Sequence, residues 1–210
     1  CKKIDIYINK ETGEIRVKND GLSIPIEKHD EHGIYNPELI FGHLLTGSNY
    51  NDQEERYTSG RNGLGIKLTN VFSKEFKVKI CNNSKKYEKR WFNNMRNSDE
   101  HIIKISKSPN LKNSTEVCWQ TDFEKFKLKG LTDNMIKILK RYVYDAGMIT
   151  KVNISINDEK IGIKSLKDYA SCFGDLGQHI YIETPDCEVL LTTQHSGEFE
   201  HISFTNGVYN

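Results

Sequence analysis

Apolar and polar residues alternate from the first positions of the chain. Ile4, Ile6 and Ile8 fall on one side of the segment Lys3 to Ile8, the pattern of a half-buried strand. Asn9-Lys10-Glu11-Thr12-Gly13 is turn chemistry, and alternation resumes from Ile15 to Lys18, which makes a hairpin. The hairpin delivers the chain to Asn19-Asp20-Gly21-Leu22-Ser23-Ile24-Pro25, a polar turn ending in proline. The period then lengthens. Asn36 is placed to cap a helix whose first position is Pro37, with Ile40, Phe41, Leu44 and Leu45 on one side. Thr46 to Ser59 is polar and contains glycine; a connection that long without structure of its own is usually a lid or a binding loop. A second helix follows from Leu64 to Ser73, with Leu64, Leu68, Val71 and Phe72 on one face.

Alternation then returns. Glu75 to Cys81, Lys86 to Asn94, His101 to Lys107 and Thr115 to Gln120 predict four strands of an antiparallel sheet. Leu131 to Ala146 is the clearest helix, capped by Thr132 and lined by Leu131, Met135, Ile138, Leu139, Tyr142 and Ala146. Gly147 stands where a left-handed C-terminal residue belongs. Lys151 to Asn157 and Lys160 to Ile163, joined by Asp158-Glu159, form another hairpin, and Ser165 to Phe173 a short helix. The glycine-bearing segment Gly174 to Gln178 marks a boundary, giving units 1–174 and 175–210. Beyond it lie three short strands, His179 to Glu183, Glu188 to Thr193 and Glu198 to Thr205. So short a tail cannot bury a core alone and is expected to begin a further domain.

Composition narrows the class. Of 210 residues, 36% are hydrophobic and 28% charged, with a net charge of +1, the balance of a globular protein with a polar surface. That balance argues against a dedicated nucleic-acid tail, and the basic run Lys85 to Arg90 reads as a solvated strand or turn. No apolar run approaches the roughly 18 residues of a membrane span. Cys1, Cys81, Cys118, Cys172 and Cys187 are far apart and odd in number, which indicates neither a zinc motif nor a disulfide framework and fits a reducing compartment. His29, His32 and His43 are not at metal-site spacing, so packing or surface roles and no metal site are expected.

The chemistry concentrates in Ser59-Gly60-Arg61-Asn62-Gly63-Leu64-Gly65-Ile66-Lys67. Glycines let a ligand approach bare backbone, a helix start offers free N–H groups, and Arg61 and Lys67 add charge-assisted donors for phosphate oxygens. A plain glycine turn opening a helix is the competing reading. The spacing matches neither G-x-x-x-x-G-K-[ST], because Ile66 separates Gly65 from Lys67, nor G-x-G-x-x-G. Two further segments point to a nucleotide. Asn19 or Asp20, beside the Ile24-Pro25 corner, could meet a purine, and Gly47-Ser48-Asn49 could reach a triphosphate.

The order N-D-G-x-S-I-P, then T-G-S-N-Y, then G-R-N-G-x-G-x-K resembles the ATPase region of eukaryotic-type (type IIA) DNA topoisomerase II. That family belongs to the superfamily of gyrase, mismatch-repair clamps, sensor histidine kinases and heat-shock chaperones. The similarity extends through Pro37 to Tyr50, Gly60 to Asn70, Trp91-Phe92-Asn93-Asn94-Met95, Tyr144-Asp145-Ala146-Gly147 and Ile202-Ser203-Phe204. L-I-F-G-H-L-L-T-G-S-N-Y and G-R-N-G-x-G-x-K-L-x-N are specific to the topoisomerase branch. The resemblance implies an α+β fold, the Bergerat-type two-layer α/β sandwich, followed by the first strands of a transducer domain. It implies that Asn19 contacts adenine, that Ser48 and Asn49 reach ribose or phosphate, and that Gly60, Arg61, Asn62, Gly63, Leu64, Gly65, Ile66 and Lys67 wrap the phosphates.

The same resemblance implies ATP and Mg2+ as cofactors. It implies a homodimer and, through the full-length enzyme, double-stranded DNA as partners, with no membrane. The expected location is the nucleus of a cell, or the cytoplasm or replication site of a virus, without secretion. There are departures. The family's helix carrying the general base and a magnesium-binding asparagine is expected before Cys1, and the transducer lysine beyond Asn210, so this stretch is expected not to hydrolyse ATP unaided. Gly47 replaces a serine and Leu64 a tyrosine. The alternatives are an ATP-operated dimerisation clamp without strand passage, as in mismatch repair or a chaperone, and a nucleotide-free interaction module.

Overall fold

The computed structural model describes residues 1–44, 60, 62–106, 111–193 and 198–210. Strands β1 (Lys3–Ile8) and β2 (Glu14–Asn19) pair antiparallel, as the alternation predicts. After helix α1 (Asn36–Gly42) and helix α2 (Gly65–Val71) come β3 (Ser73–Asn82), β4 (Lys85–Phe92), β5 (Asn97–Ser98), β6 (Ile102–Ile105) and β7 (Ser114–Thr121). Helix α3 (Asp133–Thr150), the hairpin β8 (Asn153–Ile156) and β9 (Glu159–Ile161), and helix α4 (Leu166–Ala170) follow. These strands join one sheet in the order β5-β4-β3-β7-β2-β1-β8-β9, with β6 also on β4. Among the described residues, β1 and β8 alone run parallel and the other pairings of this sheet are antiparallel.

Register explains the two layers. Three cross-strand rows share one face: Ile154–Ile4–Asn19–Thr115–Ile80–Tyr87, Ile156–Ile6–Val17–Val117–Val78–Lys89, and Ile8–Ile15–Trp119–Phe76–Trp91. Because side chains alternate along a strand, this largely apolar set, with Asn19, Thr115 and Lys89 among it, points toward the helices. The opposite face carries Lys18 and Lys79 against the half-buried Glu116, and Lys77 against Glu88, pairs whose lysines reach solvent, so that they stabilise little but keep that side wetted. Beneath the helices lie two clusters. One joins Ile26 and Phe41 to Phe76, Val78, Ile80, Tyr87 and Trp91; the other joins Leu131 and Val143 of the α3 region to Ile8, Ile15, Ile154 and Ile156. Trp119 packs against both.

Local details depart from the sequence expectations in instructive ways. The N-cap of α1 is Tyr35, not Asn36, and Leu44 lies beyond its end, half exposed; Leu45 falls outside the described residues. Helix α2 is shorter than Leu64 to Ser73, since Ser73 already opens β3, and its expected apolar face is the wrong one. Leu68 is 45% and Phe72 38% exposed, whereas Lys67 and Asn70 are buried and Ile66 packs on the core. The cause is tertiary: Asn70 Nδ2 donates to the Phe41 carbonyl at 3.0 Å and so turns that side of α2 toward α1.

Helix α3 has the predicted Thr132 cap, whose hydroxyl accepts from Met135 N at 3.2 Å, but it runs through Gly147 to Thr150. Lys151, with φ 56, takes the left-handed position instead. Gly147 is required for approach rather than for termination: a Cβ there would lie 2.6 Å from the Ile163 carbonyl oxygen. The β8–β9 turn is Asn157-Asp158, both left-handed, one residue earlier than predicted. Of the predicted strand His101 to Lys107, Ile102–Ile105 forms β6 and Lys107 falls outside the described residues; Ser165 to Phe173 divides into α4 and a 3-10 turn.

Beyond Gly174, β10 (His179–Glu183) and β11 (Glu188–Thr192) form a separate two-stranded sheet. In place of one strand over 198–205, β12 (Phe204–Thr205) and β13 (Val208–Tyr209) make a hairpin around Asn206-Gly207. Both sheets rest on the α3–α4 side: Lys151 pairs with Glu188 at 2.8 Å, Arg141 lies 4.0 Å over the Tyr209 ring, and Tyr169 meets Phe204 edge-on.

Candidate functional site

Asn19 ends β2 on the helix-facing side, between Ile4 and Thr115 in an otherwise largely apolar row. It is half-buried, and its Oδ1 accepts from Gly21 N at 3.1 Å, which fixes the carboxamide against the turn. Asp20 has a different task. Its Oδ1 accepts from the backbone N–H groups of Lys2 at 2.7 Å and Lys3 at 2.8 Å, bonds that hold its carboxyl below the usual carboxylate range. Asp20 fastens the start of β1, so of the two residues Asn19 is the one available to a base. Thr115, across the β2–β7 ladder from Asn19, was not singled out in the sequence; only the strand register puts a hydroxyl there.

The glycine loop reaches α2 with Gly63 at φ +58, a conformation that favours glycine. No described residue comes within 4 Å of where side chains at Gly60 and Gly65 would begin. Leu64 occupies the N-cap of α2 without a side-chain cap bond, and no acidic residue lies in the first turn. Among the described residues, the leading N–H groups are therefore not claimed by a capping side chain. Lys67 is only 2% exposed; its Nζ lies 2.7 Å from the Gly63 carbonyl oxygen, and burial lowers its pKa. A partly desolvated ammonium, a left-handed glycine and uncapped backbone amides in one short segment suit an anionic ligand. Asn62 is exposed and Ile66 is turned to the core, so Ile66 can contribute only its backbone. Ser48, Asn49 and Arg61 lie outside the described residues.

Asn70 supports this segment from below. It is buried, bonded to Phe41 O through Nδ2, and its Oδ1 has no hydrogen-bond partner among the described residues. It lies in the G-R-N-G-x-G-x-K-L-x-N stretch, but an asparagine inside a presumed apolar helix gives no sequence signal of burial. The Trp91-to-Met95 stretch also proves structural. Trp91 is buried, and Asn93, Asn94 and Met95 are all left-handed. Asn94 Nδ2 donates to Asp122 Oδ2 at 3.1 Å and to Ser73 O at 3.3 Å, closing the end of β4 onto β3.

A mixed sheet covered on one side by helices, with a glycine loop opening α2, defines a nucleotide-binding sandwich of the Bergerat type. No family model matches the chain. Relatives and solved structures do. It is 37% identical over 215 residues to a probable DNA topoisomerase 2 of Dictyostelium discoideum, an alignment covering 99% of this chain and 14% of the relative. The crystal structure of the ATPase region of Saccharomyces cerevisiae topoisomerase II superposes with a TM-score of 0.90 at 36% identity, covering 99% of this chain and 56% of that one. The ATPase and transducer domains of Balamuthia mandrillaris DNA topoisomerase II give 0.90 at 30% identity, covering 99% and 54%. The chain belongs to the DNA topoisomerase II family and corresponds to part of its ATPase region. It spans about half the length of the solved chains and a far smaller share of the full-length relative.

Proposed function

We propose that the chain is the ATP-binding segment of an ATP-dependent type IIA DNA topoisomerase. In that enzyme, closure of a homodimeric N-terminal gate drives passage of one DNA duplex through a transient double-strand break in another. The observation that carries the reading is the Gly60–Lys67 segment: Gly63 left-handed, the α2 start uncapped and Lys67 buried against Gly63. The match to solved ATPase regions at 36% identity supports it. In this assignment Asn19, with Thr115 beside it, meets the adenine. The backbone from Gly60 through Asn62, Gly63, Leu64, Gly65 and Ile66 wraps the phosphates, and Lys67 leaves the Gly63 carbonyl to bind a phosphate oxygen. Ser48, Asn49 and Arg61 complete the ligand contacts. Mg2+ would neutralise charge on the triphosphate; no residue of this chain is assigned to it.

The division at Gly174 belongs to the same proposal. Two small sheets that do not join the main sheet, and the likeness to a structure of ATPase plus transducer domains, support reading 175–210 as the start of the transducer. A location in the nucleus of a cell, or in the cytoplasm or at a replication site of a virus, is part of the same proposal. The test is binding of a non-hydrolysable ATP analogue. The complete ATPase region binds it, and Gly63→Val, which puts a β-branched residue at φ +58, abolishes binding while circular dichroism shows the fold retained. Equal affinity in both proteins sinks the phosphate-loop assignment. In the full-length dimer, DNA stimulates ATP turnover.

A further inference from the structure

The segment between Pro25 and α1 is a closed hairpin rather than a loose connection. Asn36 N donates to Glu27 O at 2.9 Å, Lys28 bridges to Tyr35, and His29 N donates to Ile34 O at 2.8 Å. Gly33, left-handed at φ +66, returns its N–H to the His29 carbonyl at 2.8 Å. The four-residue advance from His29 to Gly33 is thereby folded onto itself, and side chains that sequence spacing kept apart converge. His29, Glu31 and His32 each offer a ligand atom, all within 4.8 Å of one another, and the two imidazole rings are 4.9 Å apart between centroids.

We propose that this turn is a binding site for a divalent transition metal of the zinc class, held by the two imidazoles and the Glu31 carboxylate. Two nitrogens and one oxygen are a borderline donor set. It suits Zn2+, Co2+, Ni2+ or Cu2+ and discriminates against Mg2+ and Ca2+, which take oxygen ligands. The site is thus chemically distinct from any magnesium bound with a nucleotide. Ligands of a tetrahedral zinc ion lie about 3.3 Å apart, given bonds of about 2.0–2.1 Å. Reaching that spacing calls for rotation of side chains that are half-buried at His29 and exposed at Glu31 and His32. Glu31 N donates to His29 Nδ1 at 3.3 Å, and a metal on that nitrogen displaces this long contact. Water would fill the remaining coordination position. Because the hairpin joins the Asn19–Pro25 turn to α1, a bound metal would cross-link the connection between them.

The test is titration of the whole 210-residue chain with Co2+ as a spectroscopic probe, followed by displacement with Zn2+. Expected is a one-to-one visible d–d band of nitrogen and oxygen ligation, without thiolate charge transfer, that saturates in the micromolar range. His29→Ala and His32→Ala each weaken binding at least about 10-fold, equivalent to about 1.4 kcal/mol. Zn2+ raises the Tm of the parent chain but not of these variants. Both substitutions lie at the hairpin tip, and unchanged far-UV circular dichroism establishes that they fold. Thiolate charge transfer, which would assign the metal to the free cysteines, overturns the proposal. So does binding that survives either His substitution, or the absence of saturable binding.

Discussion

Around β3 and β4 the helix-facing side of the sheet buries Lys67, Asn70 and Lys89 beside its aromatic core; around β1 and β8 the comparable core is mostly isoleucine. In the second region the buried polar groups are matched. Ser155 donates to Asp5 at 2.6 Å, and Tyr169 donates to Asp145 at 2.7 Å. In the first, Asn70 Oδ1 and Tyr87 OH are buried without a hydrogen-bond partner among the described residues. Such a group typically costs about 1–3 kcal/mol, so their concentration at one end has meaning. The β1–β8 end is scaffold, closed on itself, whereas the β3–β4 end, beside the glycine loop, keeps two polar atoms, Asn70 Oδ1 and Tyr87 OH, unbonded among the described residues.

That contrast can be broken by experiment. The largest effect is expected from Ile154→Ala, which opens a cavity in the scaffold region and should cost about 2–5 kcal/mol in urea unfolding. Affinity of the still-folded protein for an ATP analogue should not change; a parallel loss of affinity would mean that the two regions are not separable. Lys67→Met should do the reverse. It removes a charge-assisted contact and should weaken analogue binding about 10- to 100-fold, while unfolding free energy changes by less than about 1 kcal/mol. Loss of stability with unchanged affinity would make Lys67 a structural residue.

The smallest effect concerns Asp20. Its carboxyl is held below the ordinary value of 3.8 by the Lys2 and Lys3 N–H groups. A depressed folded pKa means that the contribution to stability is complete above that ordinary value and is lost as pH falls through the lower folded one. Asp20→Asn should therefore flatten the stability profile below about pH 4, and an unchanged acid limb would show that the strand-end contacts carry no weight.

Much of this molecule was legible in its sequence because the relevant physics is local. Alternating Ile4, Ile6 and Ile8, the Thr132 cap and the positions of most strands all survive in the fold. Tertiary structure decided which side of an element is buried. Leu68 and Phe72 give α2 an apolar face, but Asn70 reaching Phe41 O turns the other side inward, with Lys67 along it. Gly147 looks like a helix end because glycine tolerates φ > 0, yet it serves to admit the Ile163 carbonyl, a neighbour 16 positions away. Thr115 gains its place beside Asn19 from strand register, and His29, Glu31 and His32 converge only once the Gly33 turn closes. Periodicity and motif order thus determined the elements and the family. The environment of each polar group, and with it the chemistry available to it, depended on contacts between residues distant in the chain or brought together by a turn.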